Sequence, residues 1–304
     1  MGAPAVNFAP LPDKYWLVAR HADTALLFPG QGSQTGEMRA LVERACPDLL
    51  DQAIDRLGVD PLERTEDGTA YAQPAMYCAS LAGWKAAGAP ASEFVAGHSL
   101  GEIAALVAAG SLSEDDGLSL ALTRGQLMQE AAERGPRGGM LAVLGDERRT
   151  RAVAERLGLT IANDNAPGQL VLSGAREDLA AARADLKGAG LRTIRLRVQG
   201  AFHSPAMEPA VPAFRAALDV IRFAPPRVPV VSSITARPFD DIRRRLGEAL
   251  VRPVRWRQAL IALYDAGARR FVETGPGSVL TGLVRRTLES VDATTAIEPE
   301  TGRA

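Results

Sequence analysis

An α/β fold built on a mostly parallel sheet is what the sequence predicts, and three features point to it. Short apolar runs end abruptly in glycine-containing turns, as buried parallel strands do. Stretches of good helix formers carrying apolar stripes lie between those runs. Between residues 138 and 200 the pieces shorten and change order, which marks a second unit set into the first.

Residues 1–22 come first and are irregular. Pro4, Pro10 and Pro12 interrupt them despite the apolar Tyr15, Trp16, Leu17 and Val18, so an extension packed on the surface is expected. Residues 24–28 form an apolar run that stops at Pro29-Gly30-Gln31-Gly32, a buried strand giving way to a tight turn. A second strand, 94–96, stops at Gly97 and is followed by a helix over 100–109 that Gly110 closes. Leu118, Ala121, Leu122 and Gly125 recur at i, i+3, i+4 and i+7, the stripe of a further helix. Then come a strand near 140–144, a helix near 149–157, strands at 161–163 and 170–173, a helix over 177–187 and a strand at 191–196. That order, β-α-β-β-α-β, is the one found in a ferredoxin-like split unit. The larger unit resumes with a helix bearing Val211, Phe214 and Leu218 on one face and with strands at 228–231 and 271–273. The division expected is an extension over 1–22, a larger α/β subdomain from 23–137 and 201–290, the ferredoxin-like subdomain at 138–200, and a tail from 291 to 304.

A chain of 304 residues with 46% apolar side chains can bury a substantial core. Its formal net charge of −1 excludes a strongly basic nucleic-acid binder and an acidic tail protein. No stretch approaches the roughly 18 apolar residues of a membrane span, and the start has no basic segment followed by an apolar run. Cys46 and Cys78 show neither metal spacing nor a framework of pairs, so two buried thiols in a reducing interior are expected. These readings together point to a cytoplasmic protein with no membrane, nucleic-acid or metal partner.

The strongest local signal is Gly97-His98-Ser99-Leu100-Gly101, a G-x-S-x-G sequence between a strand and a helix, where a nucleophile elbow requires it. Glycines on both sides let the chain turn sharply and lift the serine hydroxyl to the strand's carboxyl end. The helix start behind it offers backbone N–H groups to a developing oxyanion. The plainer alternative is a glycine-bounded turn with an N-cap serine. A serine needs a base, and imidazole is the usual one near neutral pH. Only His21, His98 and His203 exist. The elbow turns the His98 side chain away from its neighbour and His21 sits in the irregular start, which leaves His203, in the loop Gly200-Ala201-Phe202-His203-Ser204. Leu100 supplies one N–H of an oxyanion hole, and the turn Phe28-Pro29-Gly30-Gln31-Gly32-Ser33-Gln34 can expose the N–H of Gln31 as the second. A phosphate loop is the rival for this turn, but no Gly-Lys-Ser/Thr follows, and Gly36 falls one position late for a dinucleotide fingerprint.

With these residues in view, the chain resembles the malonyl-CoA:acyl carrier protein transacylases of fatty acid synthesis, together with the acyltransferase domains and free-standing acyltransferases of polyketide synthesis. The further markers are Gln73-Pro74-Ala75, Glu102, Arg124-Gly125-Gln126-Leu127-Met128, Pro253-Val254-Arg255-Trp256 and Glu273-Thr274-Gly275-Pro276-Gly277. The resemblance implies an α/β-hydrolase-like larger subdomain. It also implies acylation of Ser99, His203 as the base, and Gln31 and Leu100 as the oxyanion donors. Arg124 is assigned by the resemblance alone to the free carboxylate of a malonyl group, a fork-shaped contact natural to a guanidinium. Phe202 resembles the malonyl-selective form of its loop, where a ring crowds a substituent on the α-carbon. A main-chain carbonyl at the position aligned with Ala249 would orient His203, although the family often carries glutamine there.

The activity implied is a ping-pong transfer of malonyl from coenzyme A through Ser99 to the phosphopantetheine thiol of an acyl carrier protein, by a monomer with no resident cofactor. The alternatives are transfer of methylmalonyl or of a carrier-bound acyl chain, and thioester hydrolysis on the same fold. Three arginine groups, Arg243-Arg244-Arg245, Arg252/Arg255/Arg257 and Arg285-Arg286, form either a docking face for an acidic carrier or a scattered, solvated surface.

Overall fold

The computed structural model describes residues 24–297. The extension expected over 1–22, His21 within it, and residues 298–304 of the expected tail lie outside the described residues.

The chain begins with β1 (Thr24–Phe28), then α1 (Met38–Ala45), α2 (Pro47–Leu57) and α3 (Thr69–Ala86). Next are β2 (Phe94–Gly97), α4 (Gly101–Ala108) and α5 (Glu114–Arg134). The β-α-β-β-α-β stretch follows as β3 (Gly138–Leu144), α6 (Glu147–Arg156), β4 (Thr160–Ala166), β5 (Gln169–Ala175), α7 (Arg176–Gly188) and β6 (Arg192–Arg195). The chain closes through α8 (Val211–Val220), β7 (Val230–Ser232), β8 (Arg237–Pro238), α9 (Ile242–Glu248), α10 (Trp256–Asp265), β9 (Arg270–Glu273), α11 (Val279–Thr287) and β10 (Asp292–Thr295).

Two sheets result. A six-stranded sheet runs β10-β9-β1-β2-β7-β8, parallel throughout except for the short β8 at its edge. A four-stranded antiparallel sheet runs β4-β5-β3-β6. The tail expected from residue 291 is corrected here: residues 292–295 pair in parallel with β9 and form an edge strand of the larger sheet. Asp292-Ala293-Thr294-Thr295 contributes only Ala293 to the core, so it lacks the apolar run that announces a central strand.

The core explains which patterns could be read. The central strands β1 and β2 are apolar almost throughout because helices cover both faces of their sheet. In the smaller sheet Leu141, Val143 and Leu172 pack under α6 and α7 with Val153, Leu179 and Leu186. Its other face, with Met140, Ala142, Val171 and Ile194, turns toward a cavity between the two sheets. Val254, just before α10, docks that segment onto β4: its N–H donates to Ala162 O at 2.8 Å and its carbonyl accepts from Asp164 N at 2.8 Å. Cys46 and Cys78 are both buried and unpaired. Among the described residues no helix is long and apolar enough to cross a membrane.

Candidate functional site

The two central strands bring the site together. Phe28 pairs with Gly97 at their carboxyl ends, and His98 N donates to Phe28 O at 2.9 Å, so the turn after β1 lies beside the turn after β2. Bare glycines make this possible. A Cβ on Gly97 would run into the backbone of Gly101, and one on Gly101 into the carbonyl of Phe28. Between them Ser99 adopts φ 54°, in the left-handed region. His203 does the same at φ 57°. Such backbone costs about 1–3 kcal/mol in a residue with a side chain and persists where the surroundings enforce it.

Ser99 and His203, 104 residues apart in sequence, meet: Oγ lies 2.8 Å from Nε2. On its other side the ring faces the carbonyl of Ala249, with Nδ1 at 2.9 Å. A carbonyl only accepts, so Nδ1 carries the proton and Nε2 offers its lone pair to the serine hydroxyl. The carbonyl expected at position 249 is therefore present, and the change to alanine leaves it intact. His203 is buried, and its pKa falls from 6.5 to about 3, first through burial and then through the positive charge of Arg124. His98 is turned away as expected. Its Nε2 lies 2.9 Å from Asn165 Oδ1, and its ring meets Trp256 edge-on at 5.3 Å.

Arg124 projects from α5 and is only 4% exposed. Its guanidinium donates to Gln73 Oε1 at 2.7 Å and to Ser99 Oγ at 3.0 Å. Both partners are neutral, and among the described residues no carboxylate forms an ion pair with it. Burial accordingly pulls its pKa down to about 10. The nearest compensating field comes from Glu102, whose Oε1 accepts from Ser233 N at 2.6 Å and whose pKa burial pushes up to about 7. A buried cation with no bonded counter-ion among the described residues, aimed at the serine hydroxyl, is a site that favours an anionic group.

Gln31 and Leu100 line the same cavity as Ser99, which has a volume of about 570 Å³. Neither N–H meets an acceptor among the described residues. Phe202 is buried beside His203 and forms a wall shared by this cavity and two smaller neighbours of about 420 and 340 Å³. All six residues expected at the site are thus gathered around one cavity. The sequence reading gave no role to Gln73, which holds Arg124, or to Asn165, which holds His98. No metal-binding group of three or more His, Cys, Asp or Glu occurs among the described residues.

The arginine groups weighed as a docking face are largely bound to the protein's own groups. Arg244 and Arg245 reach Asp240, each at 2.7 Å, and Arg257 reaches Glu147 and Asp164, each at 2.7 Å. Arg243 and Arg285 donate to main-chain carbonyls, and Arg286 donates to Gln169.

Together the contacts make a chain from an acceptor-only carbonyl through imidazole and serine to a donor-only guanidinium. It can take a proton from the serine hydroxyl and seat an anion beside it. A family model described as acyl transferase domain matches residues 26–300. The chain belongs to the acyl transferase domain family. Among relatives, it is 39% identical to the polyketide biosynthesis protein ThaF of Burkholderia thailandensis, over 100% of this chain and 27% of that protein. It is also 37% identical to the malonyl CoA-acyl carrier protein transacylase of Bacillus subtilis, over 91% of this chain and 94% of that one. Among solved structures, this acyl transferase domain is similar to the malonyl-CoA:acyl carrier protein transacylase of Xanthomonas oryzae pv. oryzae, with a TM-score of 0.84, 37% identity, and coverage of 92% and 96% of the two chains. The mixed α/β architecture with its mostly parallel sheet is the one these structures share. ThaF extends well beyond the region this chain matches, whereas the transacylases are matched over nearly their full length.

Proposed function

We propose that this protein is an acyltransferase that moves a malonyl group from coenzyme A through an ester on Ser99 to the phosphopantetheine thiol of an acyl carrier protein. The observation that carries the reading is the buried Arg124, unpaired with any carboxylate of the described chain and 3.0 Å from the hydroxyl that bonds His203. The names of the transacylase and polyketide relatives support it.

In the first half-reaction His203 Nε2 accepts the Ser99 proton as Oγ attacks the thioester carbonyl. The resulting oxyanion faces the N–H groups of Gln31 and Leu100, and collapse breaks the C–S bond. The imidazolium returns the proton to the departing thiolate. In the second half-reaction His203 deprotonates the carrier thiol, which attacks the serine ester, and the proton passes back to Oγ. Arg124 holds the malonyl carboxylate throughout by a charge-assisted, fork-shaped contact. Phe202 crowds the α-carbon against a methyl branch, a discrimination worth about 1–3 kcal/mol. Both substrates bring their own phosphopantetheine, so the reading calls on no resident cofactor. The strand order β4-β5-β3-β6 supports reading residues 138–200 as a ferredoxin-like subdomain, with an α/β-hydrolase-like subdomain formed by the rest.

A single-turnover reaction with malonyl-CoA, followed by intact-protein mass spectrometry, tests this. The expected result is a malonyl adduct on Ser99 that persists until carrier protein is added. Loss of the adduct to water at the same rate without carrier identifies a hydrolase and overturns the transferase reading.

A further inference from the structure

We propose that Thr69 is a positioning residue of the acyl site: its hydroxyl ties the loop that presents the Gln31 N–H to the arginine that holds the acyl group. This rests on the acyl-transfer reading above. Thr69 is the first residue of α3 and is buried; it borders the two smaller cavities, behind the wall of the catalytic one.

The direction of every bond in the link follows from chemistry. A guanidinium can only donate, so Arg124 donates to Gln73 Oε1 at 2.7 Å and fixes which end of that amide faces it. Gln73 Nε2 is then the donor at the other end, to Thr69 Oγ1 at 2.9 Å, one helical turn back on α3. The Thr69 hydroxyl, accepting there, has one proton left to give, and it gives it to Gln31 Oε1 at 2.9 Å. Gln31 would donate to the oxyanion through its main-chain N–H, so its side chain is free to serve as the handle by which the loop is held.

The backbone of Thr69 is fixed by the same turn of α5 that bears Arg124. Gly125 follows that arginine, and a Cβ there would come within 2.7 Å of Thr69 O, so α5 and the start of α3 fit only because the glycine is bare. Arginine, threonine and glutamine handle are therefore one frame, with Ser99 bonded to it through the second arm of Arg124 at 3.0 Å.

Thr69→Val keeps the shape and removes the hydroxyl. It should slow acylation of Ser99 about tenfold in single turnover with either malonyl-CoA or acetyl-CoA, with little change in KM, because an oxyanion donor acts in the transition state. Gln31→Ala, which keeps the N–H and removes the handle, should give the same loss, and the double variant should lose no more than either alone. Thr69→Ser should restore the rate even if the valine variant melts lower. Losses that multiply, or a Thr69→Val rate equal to that of the unaltered protein, would overturn the proposal. The rate at which a fluorophosphonate labels Ser99 is the second measurement, since it needs the same hole but no acyl-CoA. A malonyl reading that fails while Thr69→Val still slows labelling leaves the link standing; unchanged labelling sinks the link alone.

Discussion

Replacing Arg124 with alanine should separate two acyl groups that differ by a single carboxylate. The guanidinium is 4% exposed and meets only the neutral Gln73 and Ser99, so the malonyl carboxylate would be the one full counter-charge bonded to it. Truncating one partner of a buried, hydrogen-bonded charge pair costs about 2–5 kcal/mol, which is about 30-fold to several thousand-fold in kcat/KM. Acetyl has nothing to offer the guanidinium, so its kcat/KM should fall by no more than about tenfold, the loss expected when the loop bearing Gln31 is untied from this frame. The variant also leaves Gln73 Oε1 without its donor, a cost of about 1–3 kcal/mol in stability that both acyl groups share. The ratio of malonyl to acetyl acylation therefore cancels it. The assay is the rate of Ser99 acylation in single turnover by each thioester, read by intact mass. A ratio that stays where it was, with both rates falling together, would refute the assignment of Arg124 to the carboxylate and leave it a structural prop.

The pH profile follows from the burial of His203 and, after it, from the same charge. His203 sits at about 3 when the site is empty, and only its neutral form accepts a proton, so kcat/KM should be lost as pH falls through that value and not through the usual 6.5. A bound carboxylate cancels the field of Arg124 and raises the imidazole, so the acid limb of kcat for malonyl-CoA should lie above that of kcat/KM; coincident limbs would refute this coupling. Ser99→Gly and Ser99→Ala both abolish acylation, but the glycine variant should be the more stable by about 1 kcal/mol in denaturant unfolding, because only glycine takes φ 54° without strain. Equal stabilities would show the elbow to be unstrained. Gly101→Ala should cost about 3 kcal/mol or more and cut the yield of folded protein, since its Cβ meets the fixed carbonyl of Phe28; a variant that folds normally would contradict the tight elbow.

Much of the fold was legible because its signals are local. The central strands announce themselves as unbroken apolar runs, and β3 to β6 alternate in a recognisable order. The helix α3 was not legible. Its residues are buried on nearly every side, with Pro74 inside, so it has no polar face and no period for the eye to find. That blindness hid Gln73 and Thr69, whose importance comes from what they touch and not from any spacing. The edge strand β10 was missed for the opposite reason, having one buried apolar residue where a central strand has three or four.

The site was legible to the extent that chemistry left few choices. A serine in an elbow needs a base, and three histidines reduce to one once position and direction are considered. Arg124 had no such constraint in a chain rich in arginine, and only the family resemblance singled it out. The structure supplies the reason physics could not find from spacing: polarity runs one way through the whole site. Ala249 O only accepts and Arg124 only donates, so with the imidazole neutral the histidine has one tautomer and the serine hydroxyl one orientation. The hydroxyl proton points at Nε2 before any substrate arrives. A main-chain carbonyl and a guanidinium are thus enough to aim the pair, which is why the alanine at 249 leaves that aim intact.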